Sequence, residues 1–275
     1  MSVTQALSGL ARNCSASLRE LGRAGIGFVY PPTCCHCGAA ADSVDRFAGL
    51  CGGCRDKFSA PIEHPCRRCG APCGPHLDTS SGCIHCRGER FAFETVLCLG
   101  VYDGEFRRAC LKAKSPGGGP LAAALGRLLY QRQQASLERH ACELVTCVPQ
   151  HWSQRLYQTQ HAADTLARTL ARSLRTKFAG PILSKVRRTP AQAGLPASRR
   201  RTNLRGAFRA RTGMDLSGAA ILLVDDVLTT GATSQEATRT LLRAGARSVV
   251  VAVLARAIIH QGHPPEKQAV PHAGV

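Results

Sequence analysis

The sequence predicts an α/β protein in which helices cover both faces of a parallel sheet, with a small cysteine-rich domain in front of it. Two observations lead to this prediction. Cysteine pairs recur at regular spacing in the first third of the 275-residue chain, and apolar runs alternate with helical patterns after residue 90. Parallel strands that are buried on both faces form continuous apolar runs, and their alternation with helices is typical of such sheets.

An amphipathic helix is the first element that the pattern predicts, within residues 1–30. Its apolar side chains recur at helical spacing: Leu7, Leu10, Ala11, Cys14, Leu18 and Leu21. Such a stripe is typical of a helix that covers another domain, and the alternative is a helix that lies on a membrane. The chain has no apolar stretch of membrane-spanning length and no signal-peptide pattern, so we expect a cytoplasmic protein whose 15 cysteines are not a disulfide set.

Eight cysteines form a repeat with an offset of 32 residues. The blocks are Cys34-x2-Cys37 with Cys51-x2-Cys54, and Cys66-x2-Cys69 with Cys83-x2-Cys86. A C-x-x-C turn places two sulfurs about 2.3 Å from one zinc ion, and a second turn completes a tetrahedral site. We therefore expect a double zinc ribbon over residues 31–90, with two structural zinc sites that have no open coordination position.

Other roles for the cysteines stay open at this point. Iron–sulfur ligation and redox C-x-x-C pairs are the alternatives to zinc. Cys35 and Cys73 lie inside the ribbons and could replace one of the eight ligands. The remaining cysteines within the α/β region stand among apolar residues, where a small buried side chain is the expected role.

The elements of the second domain, residues 91–260, follow from hydrophobic periodicity. Predicted strands span residues 95–102, 143–149, 180–186, 219–227 and 248–257. Predicted helices span residues 104–114, 121–134, 153–175 and 232–244, with a flexible loop at 115–120. Residues 261–275, which contain His, Pro and Gln, are predicted to be a disordered tail.

Two adjacent acids, Asp225 and Asp226, end the apolar run of residues 219–227, and a Thr/Gly loop then leads into a helix. Ligands of a doubly wound sheet bind beyond the carboxyl ends of its strands. Carboxylates accept hydrogen bonds from sugar hydroxyls, whereas loop N–H groups and a helix N-terminus bind phosphate. The segment therefore predicts a site for a mononucleotide or a phosphorylated ribose. A metal-binding acid pair and simple helix capping are the alternatives, and each explains only part of the segment.

Basic residues dominate the composition. The formal net charge is +18, and only six of the 36 basic residues are lysines. Guanidinium groups bind phosphate in a bidentate way, so the excess favours phosphate or nucleic-acid contact, although a genomic preference for arginine would give the same count. The cationic positions cluster in residues 187–211 and on the second ribbon, at Arg67, Arg68, Arg87 and Arg90. Aromatic residues are only 5% of the chain, which limits base stacking.

The segment 221–233 resembles the PRPP-binding motif of type I phosphoribosyltransferases, which implies that fold for the second domain. The resemblance implies that Asp225 and Asp226 bind the ribose 2- and 3-hydroxyls, directly or through magnesium. It also implies that the 5-phosphate is held by Thr229, Thr230, Gly231, Ala232 and Thr233. The pyrophosphate side would comprise Val148, Pro149, Gln150, His151 and Arg155.

Tandem ribbons ahead of such a domain resemble the ComF family, which is associated with natural transformation. The resemblance covers about residues 28–258, and its motifs are "FVYPPTCCHCG" (28–38), "VTCVPQHWSQRL" (145–156), Gln192, Leu195, Arg200, Asn203 and "GAF" (206–208). It implies a role in DNA uptake, with single-stranded DNA and a competence helicase as partners. Two functions remain open: magnesium-dependent phosphoribosyl transfer to an unidentified acceptor, and non-catalytic DNA binding that uses the PRPP pocket for binding or sensing.

The sequence also departs from these families. "YQTQHA" (157–162) stands where ComF proteins usually carry Arg-Gly-Phe-Asn-Gln-Ala, and Cys147 replaces the first proline of Pro-Val-Pro. Thr229 occupies the place where hypoxanthine-type enzymes carry an aspartate near the base. A mobile loop over PRPP is expected at residues 111–119, with Lys112 and Lys114 as its donors. A solvated basic loop is the alternative.

Overall fold

A computed structural model describes residues 33–40, 44–45, 49–149, 162–180, 182–187, 204–211 and 215–258. Several predictions therefore lie outside the described residues: the helix within 1–30, the first part of the helix at 153–175, the arginines at 199–201 and the tail at 261–275. The domain boundaries at residues 30, 90 and 260 stay predictions.

The first cysteine block folds around a short hairpin. Strands β1 (Val44–Asp45) and β2 (Leu50–Cys51) pair antiparallel, and helix α1 (Gly52–Phe58) follows directly. The second block has no strand among its described residues beyond an isolated bridge between Pro65 and Pro72. Leu50 and Phe58 are almost fully buried, so the first block shares a core with the α/β region.

A five-stranded parallel sheet forms the centre of the α/β region. Its strands, in spatial order, are β3 (Val96–Val101), β9 (Ser248–Arg256), β8 (Ala220–Leu228), β4 (Leu144–Cys147) and β5 (Lys177–Phe178). All neighbouring pairs are parallel. The remaining described strands, β6 (Leu183–Lys185) and β7 (Phe208–Ala210), form a separate antiparallel pair.

Both faces of the sheet are covered, as the continuous apolar strands predict. One face packs against helices α2 (Gly104–Lys114), α3 (Gly119–His140) and α4 (Ala162–Leu174). The other face packs against helix α5 (Ala232–Arg243) and the β6–β7 pair. Side chains of β8 alternate between the two cores, since Leu222 and Val224 join the first and Ile221 and Leu223 join the second. The predicted α/β class with a parallel sheet is confirmed.

Most predicted elements lie within one or two residues of the observed ones, but two expectations are wrong in part and one strand was not predicted. Residues 183–185 form a strand outside the parallel sheet, because they pair antiparallel with β7. The polar segment 187–211 contains β7, whose Phe208 side chain is buried. β5 has only two residues, too few to show a period in the sequence.

The loop expected at residues 111–119 is wrong in part, because only residues 115–118 lie outside the helices. Lys112 and Lys114 lie in the last turn of α2, and α3 begins at Gly119. The connection between them is a tight turn in which a Cβ on Gly118 would be 2.2 Å from the carbonyl oxygen of Lys112. Only glycine allows this approach of backbone to backbone, so the glycines here encode a close helix–helix turn.

Candidate functional site

The two cysteine clusters have the geometry of tetrahedral metal sites. In each cluster all four sulfurs lie within 4.8 Å of one another. Cys37 Sγ lies 3.6 Å from Cys51 Sγ, and Cys66 Sγ lies 3.8 Å from Cys86 Sγ. Four sulfurs at about 2.3 Å from one zinc ion are about 3.8 Å apart, whereas a disulfide is about 2.0 Å long. The donor sets therefore fit two zinc ions, each held by four cysteines.

A fifth cysteine lies near each cluster, Cys35 near the first and Cys73 near the second, and neither is one of the four close sulfurs. Cys73 packs against the second cluster, and its thiol donates to the carbonyl oxygen of Ala71 at 3.4 Å. Burial, together with the neighbouring thiols of Cys83 and Cys66, raises the pKa of Cys73 to about 12. Burial also raises the pKa of Cys35. Neither residue belongs to a group of four mutually close sulfurs.

Asp225 and Asp226 lie at the carboxyl end of β8, at the edge of the sheet where ligands bind in doubly wound folds. Both acids are half-buried, and the backbone N–H of Asp226 donates to Asp225 Oδ1 at 2.9 Å. Burial and the negative charge of Asp226 raise the pKa of Asp225 to about 7. The sheet thus holds two carboxylates together at some electrostatic cost.

Two lysines approach the acid pair from opposite faces of the sheet. Lys114, the last residue of α2, places Nζ 3.0 Å from Asp226 Oδ1. Lys185, at the end of β6, is half-buried, and its charge lowers the pKa of Asp225. Burial lowers the pKa of Lys185 itself, while the charge of Asp225 opposes that effect. Sequence reasoning missed Lys185, because only the β6–β7 pairing places it near β8.

The Thr/Gly loop turns directly into α5. Gly231 precedes the helix with a left-handed φ of +76°, a backbone conformation that glycine adopts without strain. The N–H of Ala232 is 3.4 Å from Thr230 Oγ1. The first N–H groups of a helix have no partners within the helix, so this terminus is suited to bind an anion. We call residues Thr229–Thr233 the phosphate cradle.

Residues of the second ribbon and its exit surround the cradle. Phe91 packs against the second cysteine cluster, and its ring would be 3.3 Å from a Cβ on Gly231. The side chain of Gln235 donates to the carbonyl of Arg90 at 2.8 Å and accepts from the N–H of Ala92 at 2.6 Å. A cavity of about 350 Å³ lies between residues 88–91 and the first two turns of α5. These contacts join positions about 140 residues apart, so no local pattern could have indicated them.

Arg256 is a second residue beside the candidate site that sequence reasoning missed. It ends β9 and is only 4% exposed. Its Nη1 donates to the carbonyl oxygens of Leu228 at 3.2 Å and Thr229 at 2.5 Å, and also to that of Ala257. A charge at the end of a buried strand is the same signal that singled out Asp225 and Asp226, and it was present in "VVVAVLAR" (249–256).

The residues predicted to form the pyrophosphate side are described only in part. Val148 is buried directly beside β8, where its N–H donates to the carbonyl of Val224 at 2.9 Å. The end of β4 therefore lies next to Asp225, and Pro149 follows it. Gln150, His151 and Arg155 lie outside the described residues, as does all of "YQTQHA" except Ala162.

The fold and the site define a phosphoribosyltransferase-type α/β domain with two four-cysteine clusters in front of it. A family model described as "Phosphoribosyl transferase domain" matches residues 162–270, which contain the acid pair and the cradle. DNA utilization protein YhgH of Salmonella typhi is 29% identical over 214 residues, which cover 76% of this chain and 91% of that protein. Competence protein F of Haemophilus influenzae is 28% identical over 229 residues, which cover 82% of this chain and 96% of that protein.

Among solved structures, a glutamine phosphoribosylpyrophosphate amidotransferase from B. subtilis is 24% identical, with a TM-score of 0.34. The overlap covers 50% of this chain and 27% of that one. The relatives named above, the family match and the two four-cysteine clusters together confirm the resemblance of this chain to the ComF family. Within the described residues, the helices are too short or too polar to cross a bilayer.

Proposed function

We propose that the chain binds PRPP, or a related ribose 5-phosphate, with Mg²⁺ at the carboxyl end of β8, in a role connected with DNA uptake. The observation that supports it most directly is the juxtaposition of Asp225 and Asp226 with the phosphate cradle that opens α5. A single ligand that has a vicinal diol and a 5-phosphate would bind the acid pair through the diol and the cradle through the phosphate. The name of the Haemophilus influenzae relative, Competence protein F, supports the connection with DNA uptake.

Magnesium suits this donor set, because it prefers carboxylate oxygens together with substrate phosphates. Asp225 and Asp226 would hold the ion, which would offset negative charge on the pyrophosphate. Lys114 now neutralises Asp226. A bound cation would compete with that ammonium group, and Lys114 would then be free to contact an anionic ligand.

Binding is better supported than any particular reaction. Thr229 presents a hydroxyl where hypoxanthine-type enzymes carry a carboxylate, so the cradle brings no general base to a purine. Transfer of phosphoribosyl to an unidentified acceptor remains part of the proposal. It would show itself as release of pyrophosphate that depends on an added acceptor.

Calorimetry on the zinc-loaded chain tests the pocket. Wild-type protein should bind PRPP in the presence of Mg²⁺, and Asp225→Asn and Asp226→Asn should each weaken binding about tenfold or more, because each loses a charged acceptor. Asp215→Asn is the matched control, since Asp215 is exposed, lies just before β8 and should bind PRPP normally. If wild-type protein does not bind PRPP, or if the Asp225 and Asp226 variants bind like the control, the proposal is wrong.

A second candidate function, binding of single-stranded DNA, is favoured by a cationic groove beside the edge strand β3. The groove has a volume of about 850 Å³ and lies between the second ribbon and α3. Its basic lining residues are Arg67, Arg132, Arg139 and His140. Exposed Arg87 and Arg90 extend the charge across the ribbon, and Ile84 is 77% exposed beside them. The guanidinium of Arg68 donates to the carbonyls of Ser81 and Glu89, and that of Arg132 donates to the carbonyl of Ser59, so backbone bonds hold both charged groups in place.

Fluorescence anisotropy with a labelled oligo(dT) distinguishes DNA binding at this groove from non-specific attraction of DNA to a basic protein. Replacement of Arg132 and Arg139 by Gln should weaken binding and reduce its salt dependence by about two phosphate contacts. The control replaces Arg172 and Arg175, which are exposed near β5 at the opposite edge of the sheet. An equal loss of DNA affinity in both double variants would exclude the groove as a specific binding site. A contribution of the arginines at 199–201 to DNA binding stays a prediction.

A further inference from the structure

We infer that the cavity of about 350 Å³ beside the phosphate cradle is a subsite for a nucleoside, so that the site accepts the 3′-terminal nucleotide of an oligonucleotide. In this arrangement the terminal ribose lies against Asp225 and Asp226, its 5-phosphodiester lies in the cradle, and the preceding nucleoside lies in the cavity. The inference rests on the proposed function for the roles of the acid pair and the cradle, and it adds the class of ligand.

The cavity begins at the cradle and continues along α5. Thr230, Gly231 and Ala232 line it, and so does Arg239, which is eight residues after Gly231 and therefore about 12 Å further along the helix. The acid pair does not line it. A phosphate monoester in the cradle needs no space beyond its own oxygens, whereas the second substituent of a diester must leave the cradle. The cavity is the space into which that substituent can extend.

The chemistry of the lining suits a nucleoside. Its charged residues are two arginines and two glutamates, Arg90, Arg239, Glu89 and Glu236, whose formal charges cancel. Such a lining gives little net attraction to a second pyrophosphate group, but it presents both donors and acceptors to the hydroxyls and ring nitrogens of a nucleoside. The ring of Phe91 adds an apolar wall. The volume also falls in the usual range of small-molecule sites, about 300–1,000 Å³.

Glu236 provides a buried acceptor in this lining. The residue is only 5% exposed, and its Oε1 accepts a hydrogen bond from the N–H of Gly206 at 2.9 Å and lies 3.6 Å from Arg243 Nη2. Its Oε2 has no hydrogen bond among the described residues and lies 4.0 Å from Arg239 Nη1. A buried carboxylate oxygen without a hydrogen-bond donor is costly. A sugar hydroxyl or the exocyclic amine of a base is a donor that a nucleoside brings.

The walls of the cavity are held in place by contacts within the protein. The side-chain amide of Gln235 donates to the carbonyl of Arg90 at 2.8 Å and accepts from the N–H of Ala92 at 2.6 Å. The ring of Phe91 stacks on that of Phe93, with centroids 4.5 Å apart. A pocket whose walls are already ordered loses less conformational entropy when a ligand binds.

The acid pair determines which part of an oligonucleotide can bind. A nucleotide inside the chain has its 3-oxygen esterified, so the next phosphate would lie against the two carboxylates, and like charges repel. The 3′-terminal nucleotide has hydroxyls there instead, and hydroxyls donate to carboxylates. A ribose end presents both the 2- and the 3-hydroxyl, whereas a 2-deoxyribose end presents only the 3-hydroxyl. We therefore expect RNA ends to bind more tightly than DNA ends.

Titration calorimetry of the full zinc-loaded chain in magnesium-free buffer tests the inference with the dinucleotide ApA, adenylyl-3′,5′-adenosine. ApA should bind about tenfold more tightly than adenosine 5′-methylphosphate, which has the same terminal nucleotide and the same charge but no preceding nucleoside. ApA with an added 3′-phosphate should bind about tenfold or more weakly than ApA. The deoxy dinucleotide dApdA should bind about three- to tenfold more weakly, because it lacks the 2-hydroxyl. The single phosphate of ApA keeps its attraction to the cationic groove small.

Glu236→Gln is the matched variant for the cavity. Its amide can still accept from the N–H of Gly206, but it presents an N–H donor in place of Oε2. The preference for ApA over the methyl ester should therefore fall to about threefold or less. Glu138→Gln, at an exposed glutamate of α3, is the control and should keep the full preference.

The outcomes separate this inference from the proposed function. The inference is wrong if ApA binds no more tightly than the methyl ester, if the added 3′-phosphate has no effect, or if Glu236→Gln keeps the full preference. Equal binding of ApA and dApdA would overturn the preference for RNA ends. PRPP binding without a preference for ApA would reject the inference and leave the proposed function standing. A preference for ApA without PRPP binding would reject the proposed function alone.

Discussion

Lys114 and Asp226 form an ion pair at 3.0 Å between the end of helix α2 and the end of strand β8. The pair closes one side of the candidate site, and Lys114 belongs to a helix that the first ribbon also contacts. Lys112 Nζ donates to the carbonyl of His36 at 2.7 Å, and His36 Nε2 lies 2.8 Å from Glu105 Oε1. The first ribbon therefore supports the helix that carries Lys114.

Replacement of Lys114 by Met should increase the affinity for Mg²⁺ alone, by about three- to tenfold, because a competing ammonium group is removed from Asp226. Titration calorimetry with MgCl₂ measures the effect. Lys57→Met is the control, since Lys57 is exposed on α1. An unchanged or lower magnesium affinity in Lys114→Met would show that Asp226 does not bind the ion.

Asp225→Asn should stabilise the ligand-free protein in magnesium-free buffer, and more at pH 8 than at pH 5. The pKa of Asp225 is raised to about 7 by burial and by Asp226, so the folded state prefers the protonated form. The cost of its charge is absent at low pH, grows as pH rises from about 4, and is complete above pH 7. Because Asp225 is only half-buried, we expect a gain on the order of 2 kcal/mol at pH 8.

Thermal melts at both pH values check this expectation. Asp215→Asn is again the control, because hydrogen bonds from Ser217 lower the pKa of Asp215, so its charge does not change between pH 5 and pH 8. A stability gain in Asp225→Asn that is the same at both pH values would contradict the assignment of the raised pKa.

Phe58→Ala should destabilise the protein by about 3 kcal/mol and should release zinc from the first cluster only. Phe58 is 2% exposed and contacts both His36 and Phe106, with ring centroids 4.9 Å and 5.6 Å away. Denaturant unfolding and zinc release to a chelator measure the two effects. Phe58→Leu, which keeps an apolar side chain, should retain both zinc ions. Equal loss of zinc from both clusters would argue against separate support for the first ribbon.

Metal analysis should find two zinc ions per chain, and Cys69→Ser should retain only one. Cys35→Ser and Cys73→Ser should both retain two, because these thiols lie outside the groups of four close sulfurs. Elemental analysis of purified protein gives the stoichiometry. Loss of one zinc ion in Cys73→Ser would mean that Cys73 replaces one of the four expected ligands.

Sequence patterns were sufficient to predict those groups of functional side chains whose members lie close together in the chain. The eight ligand cysteines are grouped in turns of four residues, and the acids and the cradle follow one strand without a break, so their proximity follows from the chain itself. The apolar runs predicted β3, β8 and β9 for the same reason, because burial on both faces leaves a continuous signal.

Very short strands and pairings between distant segments could not be predicted in the same way. β5 has two residues, and the pairing of β6 with β7 joins residues 23 to 27 positions apart across a basic segment. The glycines at 117–119 indicated flexibility, whereas they allow α2 and α3 to meet in a tight turn. Glycine is found both in flexible loops and in tightly packed turns, so only the packing around it distinguishes the two.

The sequence by itself determined that this protein has two four-cysteine clusters and an acid pair followed by a Thr/Gly loop, because each is encoded within a few consecutive residues. Only the tertiary structure decided which side chains complete the site. Lys114 reaches Asp226 across 112 positions, and Arg256 reaches Thr229 across 27. Such contacts depend on which strands are neighbours in the sheet and on where the ribbons pack, and these follow from burial of the whole core.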